Sequence, residues 1–378
     1  MRTGIARNRR DMERSRKAIV IHSPLAGRSI YLSQALTHLR EVGVDIVHVS
    51  SIGELDGLPA HGKHWKECCI EMAIAAGGDG LVGGVITHIA QSGLSLGILP
   101  LGTANDVARS LHIPLDLVQA AEVIARGEEI EVDIGMAQPA EQAPHLANPD
   151  QETPALPQVA PQEQAFFAHA LTVGLNVQFA RLATSSTIRL RYGQLTYPFA
   201  ALEVLKKLEA IEVDLHFEGL APPTNRFMPQ QDTLASSGEE MPAQLHCRAL
   251  QVAVIDAPVF GGAWNLTVPG ANMRDGLLDI VVIEDLELEK LRAAIVQFLN
   301  TQQRHSALPA SLQEYHMAHH PAELTGIPGI HHIQAQGITI KTSVDPQDVT
   351  LDGEVRGQTP MFVCLANERL RVIVPASN

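Results

Sequence analysis

The chain alternates short apolar runs with polar, glycine-containing turns, and the period of the apolar positions changes about a third of the way along it. Ala18–Ile21 predicts a first strand, ending at Ser23-Pro24-Leu25-Ala26-Gly27-Arg28. Residues 30–42 then place Ile30, Leu32, Ala35, Leu36 and Leu39 at helical spacing until Gly43 stops them. Val44–Val49 predicts a second strand, and residues 52–63 a loop or short helix. Ile70–Ala76 predicts a third strand, with Val82, Val85, Ile86 and Ile89 forming the helical stripe after it. Leu94–Leu99 predicts a fourth, followed by a helix starting at Val107 and another opened by Asp116 and closed at Gly127. Strands alternating with helices imply a doubly wound parallel sheet, here over residues 18–128.

From residue 129 the pattern is of short strands: 129–136, 166–173, 211–217, 248–255, 264–268, 278–283, 337–342, 348–351 and 361–365. Many short strands with Gly/Pro turns predict a β-sandwich-like second domain over 129–365. Two polar excursions interrupt it, at 138–164 and 219–243, and read as flexible insertions. Helical spacing at Tyr197–Leu208 and 287–299 adds two helices, the second read as core packing. A last strand at 370–374 lies in a segment, 366–378, that is open to returning to the first domain. The fold class is therefore α/β plus β.

Composition narrows the function classes. The 378 residues carry a net charge of −14, which argues against nucleic-acid binding. Residues 1–17 are the exception, a basic tail suited to an anionic membrane surface or to solvent. No run approaches the ~18 apolar residues of a membrane span, and no secretory h-region opens the chain. Cys68, Cys69, Cys247 and Cys364 lack disulfide-like spacing and read as reduced thiols of a cytoplasmic protein. His316, His319, His320, His331 and His332 read as a solvated helix end and loop rather than a metal site.

The candidate chemistry centres on Gly77-Gly78-Asp79-Gly80-Leu81-Val82-Gly83-Gly84. Strand, glycine turn and helix start is an arrangement that can set backbone N–H groups around a phosphate, or be a bare turn. Asp79 beside phosphates calls for a metal, or for a hydroxyl whose proton must leave. A second polar turn, Pro100–Asp106, also follows a strand, and in open α/β sheets ligands gather at strand carboxyl ends.

Four ordered stretches resemble the diacylglycerol kinase catalytic family, which includes soluble bacterial lipid kinases and sphingosine kinases. They are Ser23–Arg28, Gly77–Gly80, Leu99–Arg109, and the pair Asp275-Gly276-Leu277-Leu278-Asp279 and Leu351-Asp352-Gly353-Glu354. The resemblance spans about residues 18–374. It implies an active site in the cleft between the α/β and β-sandwich-like domains, ATP and Mg2+, and transfer of the γ-phosphoryl to a lipid hydroxyl of diacylglycerol or sphingoid type. Gly77, Gly78, Asp79 and Gly80 would cradle the nucleotide, with Gly102, Thr103, Ser23 and Gly27 bordering the same pocket. Asp275, the Leu277 carbonyl and, through water, Asp106 would hold a structural Mg2+. Asp352 and Glu354 would take the hydroxyl proton and orient the attack, with Asp79 beside them. The implied partner is a lipid at the cytoplasmic face of a membrane, and a homodimer is compatible with it. Leu81, Gly83 and Gly84 stand where the family usually has Thr, Asn and Glu, and Ser23 stands for Asn. A catalytically silent binding protein of the same fold is the competing reading, and a soluble-substrate kinase like NAD kinase or phosphofructokinase a more distant one.

Overall fold

The computed structural model describes residues 16–24, 26–55, 62–90, 92–142, 164–175, 177, 209–221, 243–261, 266–268, 270–286 and 329–376. Residues 1–15, both predicted helices at 197–208 and 287–299, His316, His319 and His320, and most of the two excursions lie outside the described residues.

The first unit runs β1 (Lys17–His22), α1 (Leu32–Glu41), β2 (Asp45–Ser51), α2 (Ile52–Leu55), α3 (Gly62–Glu67), β3 (Met72–Gly77), α4 (Asp79–Ile89), β4 (Ser95–Pro100), α5 (Asp106–Ser110), α6 (Leu117–Arg126) and β5 (Glu128–Val132). β1 pairs parallel with β2 and β3, and β3 with β4. β3 and β4 are buried at all six positions each, as strands covered on both faces must be. Right-handed crossovers that run in opposite directions along the sheet place helices on opposite faces. Accordingly α1 packs with α6, while α2, α3 and α5 pack with α4. α6 starts where the sequence predicts: the Asp116 carboxylate accepts from Val118 N (3.1 Å) and Gln119 N (3.0 Å).

The second unit comprises β6 (Gly135–Pro139), β7 (Ala165–Phe167), β8 (Ala170–Gly174), β9 (Ile211–Leu220), β10 (Gln244–Ile255), β11 (Val259–Phe260), β12 (Leu266–Thr267), β13 (Leu278–Glu284), β14 (Ile330–Thr342), β15 (Asp348–Leu351), β16 (Glu354–Gln358) and β17 (Met361–Leu365). β18 (Leu370–Val374) closes the chain. All but β11 and β12 of the second unit form one antiparallel sheet of ten strands. Within it β10, β13, β14 and β9 pair in a closed circuit around Val213, Leu215, Val252, Ile280 and Ile338. Gly135 is a packing requirement there, because a Cβ would lie 2.0 Å from the Phe167 ring.

Two features differ from the sequence pattern. The single strand expected at 129–136 is two, because β5 belongs to the first sheet and β6 to the second, with Asp133 and Ile134 between them. The last strand, whose place the sequence pattern leaves open, is β18, and it lies between β4 and β5, parallel to the former and antiparallel to the latter. His331 and His332 are on β14 rather than in a helix end and loop, and they pair with Glu284 (2.8 Å) and Asp279 (2.7 Å) on β13. All four cysteines are free thiols, and no helix among the described residues is long and apolar enough to cross a membrane.

Candidate active site

Three turns meet at the carboxyl ends of β1, β3 and β4. The Gly77 carbonyl accepts from Leu101 N (2.9 Å) and Gly102 N (3.1 Å), so the second and third turns are laced backbone to backbone. Their approach is too close for side chains: a Cβ on Gly102 would stand 2.3 Å from Gly78 Cα. Asn105, in the left-handed region at φ 55°, locks the turn by accepting from Gly102 N (2.9 Å) and donating to Gly102 O (3.0 Å). The first turn joins through Arg28 N, which donates to Leu101 O (2.9 Å). A Cβ on Gly27 would come within 2.9 Å of the exposed Thr103 hydroxyl. Ser23 lies at the start of the same turn, its carbonyl accepting from Ala26 N (3.2 Å). Ser23, Gly27, Gly77, Gly78, Gly102 and Thr103 therefore border one place.

Asp79 is the first residue of α4, with Gly78 as its N-cap. Its carboxylate accepts from Val107 N (2.9 Å) in the first turn of α5. The ordinary cap position of α5, Asn105, makes no side-chain cap bond. Asp79 thus caps a helix that follows the other phosphate-type turn and fixes the two turns together.

Asp352 and Glu354 come from the second domain. Leu351 pairs with Glu354 across a two-residue turn in which Asp352 (φ 49°) and Gly353 (φ 84°) are both left-handed. That is a type I′ hairpin, and Asp-Gly is its sequence signature. The Asp352 carboxylate accepts three backbone hydrogen bonds, from Ala168 N (3.0 Å), His169 N (2.9 Å) and Ala170 N (3.1 Å). Burial pushes its carboxyl up to about 6, against those N–H groups and the His169 charge, which pull it down. The hairpin is seated on α4. A Cβ on Gly83 would lie 2.2 Å from Asp352 Oδ2, and one on Gly80 would lie 3.0 Å from Glu354 Oε1. Residues 79 and 83 share a helix face, so Asp79 and Asp352 address the same side of α4. Glu354 is exposed and paired with Arg356 (2.7 Å).

The metal candidates are less tightly gathered. Asp275 and Leu277 form one Asx-type turn, with Leu277 N donating to Asp275 Oδ1 (3.0 Å). Asp106 is buried at the first position of α5, beside the amide that Asp79 holds. The carboxyl of Asp275 is raised by burial and by the charges of Asp279 and Asp133, against the Leu277 bond.

Four residues that matter here were not singled out by sequence. Asp133 accepts from Gly276 N (2.9 Å) and Arg369 (2.8 Å), tying the β5–β6 link to the Asp275 turn. His169 supplies one of the three amides on Asp352. Ser110 ends α5 and accepts from Val259 N (3.0 Å). Asp256 is 1% exposed, and neither carboxylate oxygen has a hydrogen-bond partner among the described residues. Burial first, then the charges of Asp133, Asp352, Asp279 and Asp275, push its carboxyl well up. Only Asp133, close after a strand in an acid-rich stretch, carries any visible sequence signal.

Two family profiles divide the chain: Diacylglycerol kinase catalytic domain over residues 17–137, and YegS C-terminal NAD kinase beta sandwich-like domain over 170–374. The chain belongs to the diacylglycerol kinase catalytic family. Among relatives of this family, the diacylglycerol kinase of Staphylococcus saprophyticus is 23% identical, over 95% of this chain and 96% of its own. That of Staphylococcus carnosus is 21% identical, over 95% of each. Two solved chains from Bacillus anthracis str. Sterne share the fold. One has a TM-score of 0.61 at 19% identity, covering 95% of this chain and 96% of its own. The other, described as a diacylglycerol kinase, has a TM-score of 0.53 at 17% identity, with the same coverage. The two-unit fold, the parallel first sheet and the antiparallel second one are those of this kinase family.

Proposed function

We propose that this family member is an ATP-dependent lipid kinase whose general base is Asp352. One observation carries the reading: a carboxylate oriented by three amides rests on the helix that begins at the glycine turn, on the face shared with Asp79. A lipid hydroxyl is a weak nucleophile near neutral pH, so a carboxyl at about 6 suits proton acceptance as the oxygen attacks. The accepted proton stays on Asp352 while the attacking oxygen bonds to the γ-phosphorus and the bond to the ADP oxygen breaks. Glu354, two residues on and open to solvent, orients the hydroxyl from the hairpin's outer side. Gly77, Gly78, Gly80 and Gly102 let the backbone approach the phosphates, and Thr103 offers a hydroxyl at the same mouth with Ser23 and Gly27.

The acid-dense region fits a hard cation. Among the described residues no three His, Cys, Asp or Glu side chains stand close enough to hold an ion between them. A Mg2+ there would be held by the Asp275 carboxylate, the Leu277 carbonyl and water reaching Asp106, the mixed shell that Mg2+ accepts. When bound, it would supply positive charge that ties the two units together.

The glycines at 83 and 84 need not signal lost catalysis. Gly83 vacates the volume that Asp352 Oδ2 occupies, and a Cβ on Gly84 would meet only Ile52, at 3.4 Å. The test is phosphorylation from labelled ATP with Mg2+ across diacylglycerol, sphingoid and phosphatidylglycerol-type lipids in mixed micelles. We expect one class to be labelled, and Asp352→Asn to lower turnover by on the order of 10²–10⁴-fold. Folded protein that binds ATP but labels none of these lipids would overturn the kinase reading in favour of a silent binding protein.

A further inference from the structure

The hydrogen bonds around the cleft close on themselves. Asp79 begins α4 and holds Val107 N in α5 at 2.9 Å. α5 ends at Ser110, whose hydroxyl accepts from Val259 N at 3.0 Å. The Val259 carbonyl lies 2.9 Å from His169 Nε2. His169 N donates to Asp352 Oδ1 at 2.9 Å, and the same carboxylate abuts Gly83, back on α4. The circuit thus joins both phosphate-type turns to the hairpin base through four hydrogen bonds, closed by the Gly83 contact.

His169 is its most heavily used member. Besides the Asp352 and Val259 bonds, its carbonyl accepts from Asp256 N (2.9 Å) and Ala257 N (3.2 Å). Every polar group of its backbone is therefore engaged. A carbonyl can only accept, so Nε2 carries a proton. Such a ring serves as a fixed strut whatever its charge.

We propose that His169 is the positioning residue for the acceptor-side base: its ring and backbone clamp the Asp256–Val259 loop, and through Ser110 the α5 helix, so that the Asp352 carboxylate is held at a fixed place against α4. This rests on the assignment of Asp352 as base. The groups facing Asp352 are the Ala168, His169 and Ala170 amides, the His169 ring, and the buried Asp256. Glu354 stands on the same hairpin, and Asp79 lies one turn before Gly83 on α4. Of these, His169 alone lowers the carboxyl by positive charge.

The experiment measures kcat, KM for ATP and the pH dependence of kcat for the full chain and for His169→Ala, His169→Gln, Ser110→Ala and Asp352→Asn, each first checked by thermal melt. His169→Ala should lower kcat by roughly tenfold or more with KM for ATP within about twofold, the pattern of a lost transition-state arrangement. Its acid limb should move to higher pH, since the positive charge that depressed Asp352 is gone. His169→Gln restores an N–H donor toward Val259 without the charge, so it should recover most of kcat and keep the moved limb. Ser110→Ala should lower kcat and leave the limb where it is. If His169→Ala does not fold, the limb of His169→Gln decides. Wild-type kcat and limb in the His169 variants, with Asp352→Asn inactive, would overturn the positioning role alone. Full turnover by Asp352→Asn would overturn the base assignment beneath it.

Discussion

A single hydrogen at Gly83 leaves the space that Asp352 Oδ2 fills, so this position links local chain chemistry directly to the site. A methyl there would stand 2.2 Å from the carboxylate oxygen, far inside any contact distance. Either the hairpin rises off α4 or Asp352 leaves its three amides. Gly83→Ala should therefore cost on the order of 1–3 kcal/mol of stability from overpacking and remove most turnover, while ATP affinity changes little. Parallel melts and ATP titrations check this; wild-type turnover by the alanine variant would show that the contact is not strict. Asp256 is a residue of the opposite kind, costing the fold something. Its carboxyl is buried, without a hydrogen-bond partner among the described residues, and raised well above its ordinary value. A group whose folded value exceeds its unfolded value binds protons on folding. Its contribution is thus most favourable at acid pH and is lost as pH climbs from near 4 through the folded value. Asp256→Asn should raise the melting temperature at pH 8, by the equivalent of roughly 1–3 kcal/mol. That gain should shrink as the pH is lowered toward 4, and a uniform gain would point to packing instead.

Elements show why part of the site could be read and part could not. α6 is legible because Asp116 and Gly127 bound it chemically. The β15–β16 turn is legible because two successive positive φ angles call for a pair such as Asp-Gly. The break between β5 and β6 is not, because Glu129–Met136 continues a strand-like pattern through the place where the chain changes sheets. Long-range bonds of Asp133, to Gly276, Arg369 and Met273, mark the change. Asp79 illustrates both sides. Its place in the glycine turn signals chemistry, but its bond to Val107 belongs to a helix two elements away. α5 is short and its Asn105 is committed to Gly102, so Asp79 is its external cap. Asp79→Ala should cost about 1 kcal/mol, a melting shift of only a few degrees for a chain this size. The larger effect should be on catalysis, with a raised KM for ATP as the two turns lose their tie. A drop in stability with unchanged ATP kinetics would reduce Asp79 to the capping role.

At the scale of the whole molecule, the second sheet is an insertion between two neighbouring strands of the first. The chain leaves through β5 and returns through β18, which pairs antiparallel to β5 over Leu370–Val374 and parallel to β4. Local pattern shows a final strand but not its partner, since strand pairing is set by packing between segments far apart in sequence. The same holds for Gly83 with Asp352 and for His169 with Val259, which is why the turns of the site were legible and its closure was not. This topology makes β18 a structural centre. Leu370, Val372 and Ile373 are 4%, 1% and 0% exposed, and Arg369 holds Asp133. Each buried side chain contributes about 1.5–3 kcal/mol, so losing three approaches the ~5–15 kcal/mol of a typical domain. Removing residues 367–378 would also uncover the facing edges of β4 and β5, whose free N–H and C=O groups invite aggregation. We expect that truncation to abolish cooperative melting and ATP binding, whereas removal of 375–378 alone should leave both intact. A soluble 1–366 chain that still melts cooperatively would mean that the first sheet holds together on β1 to β4, and that β18 serves only to bring the second unit back to the cleft.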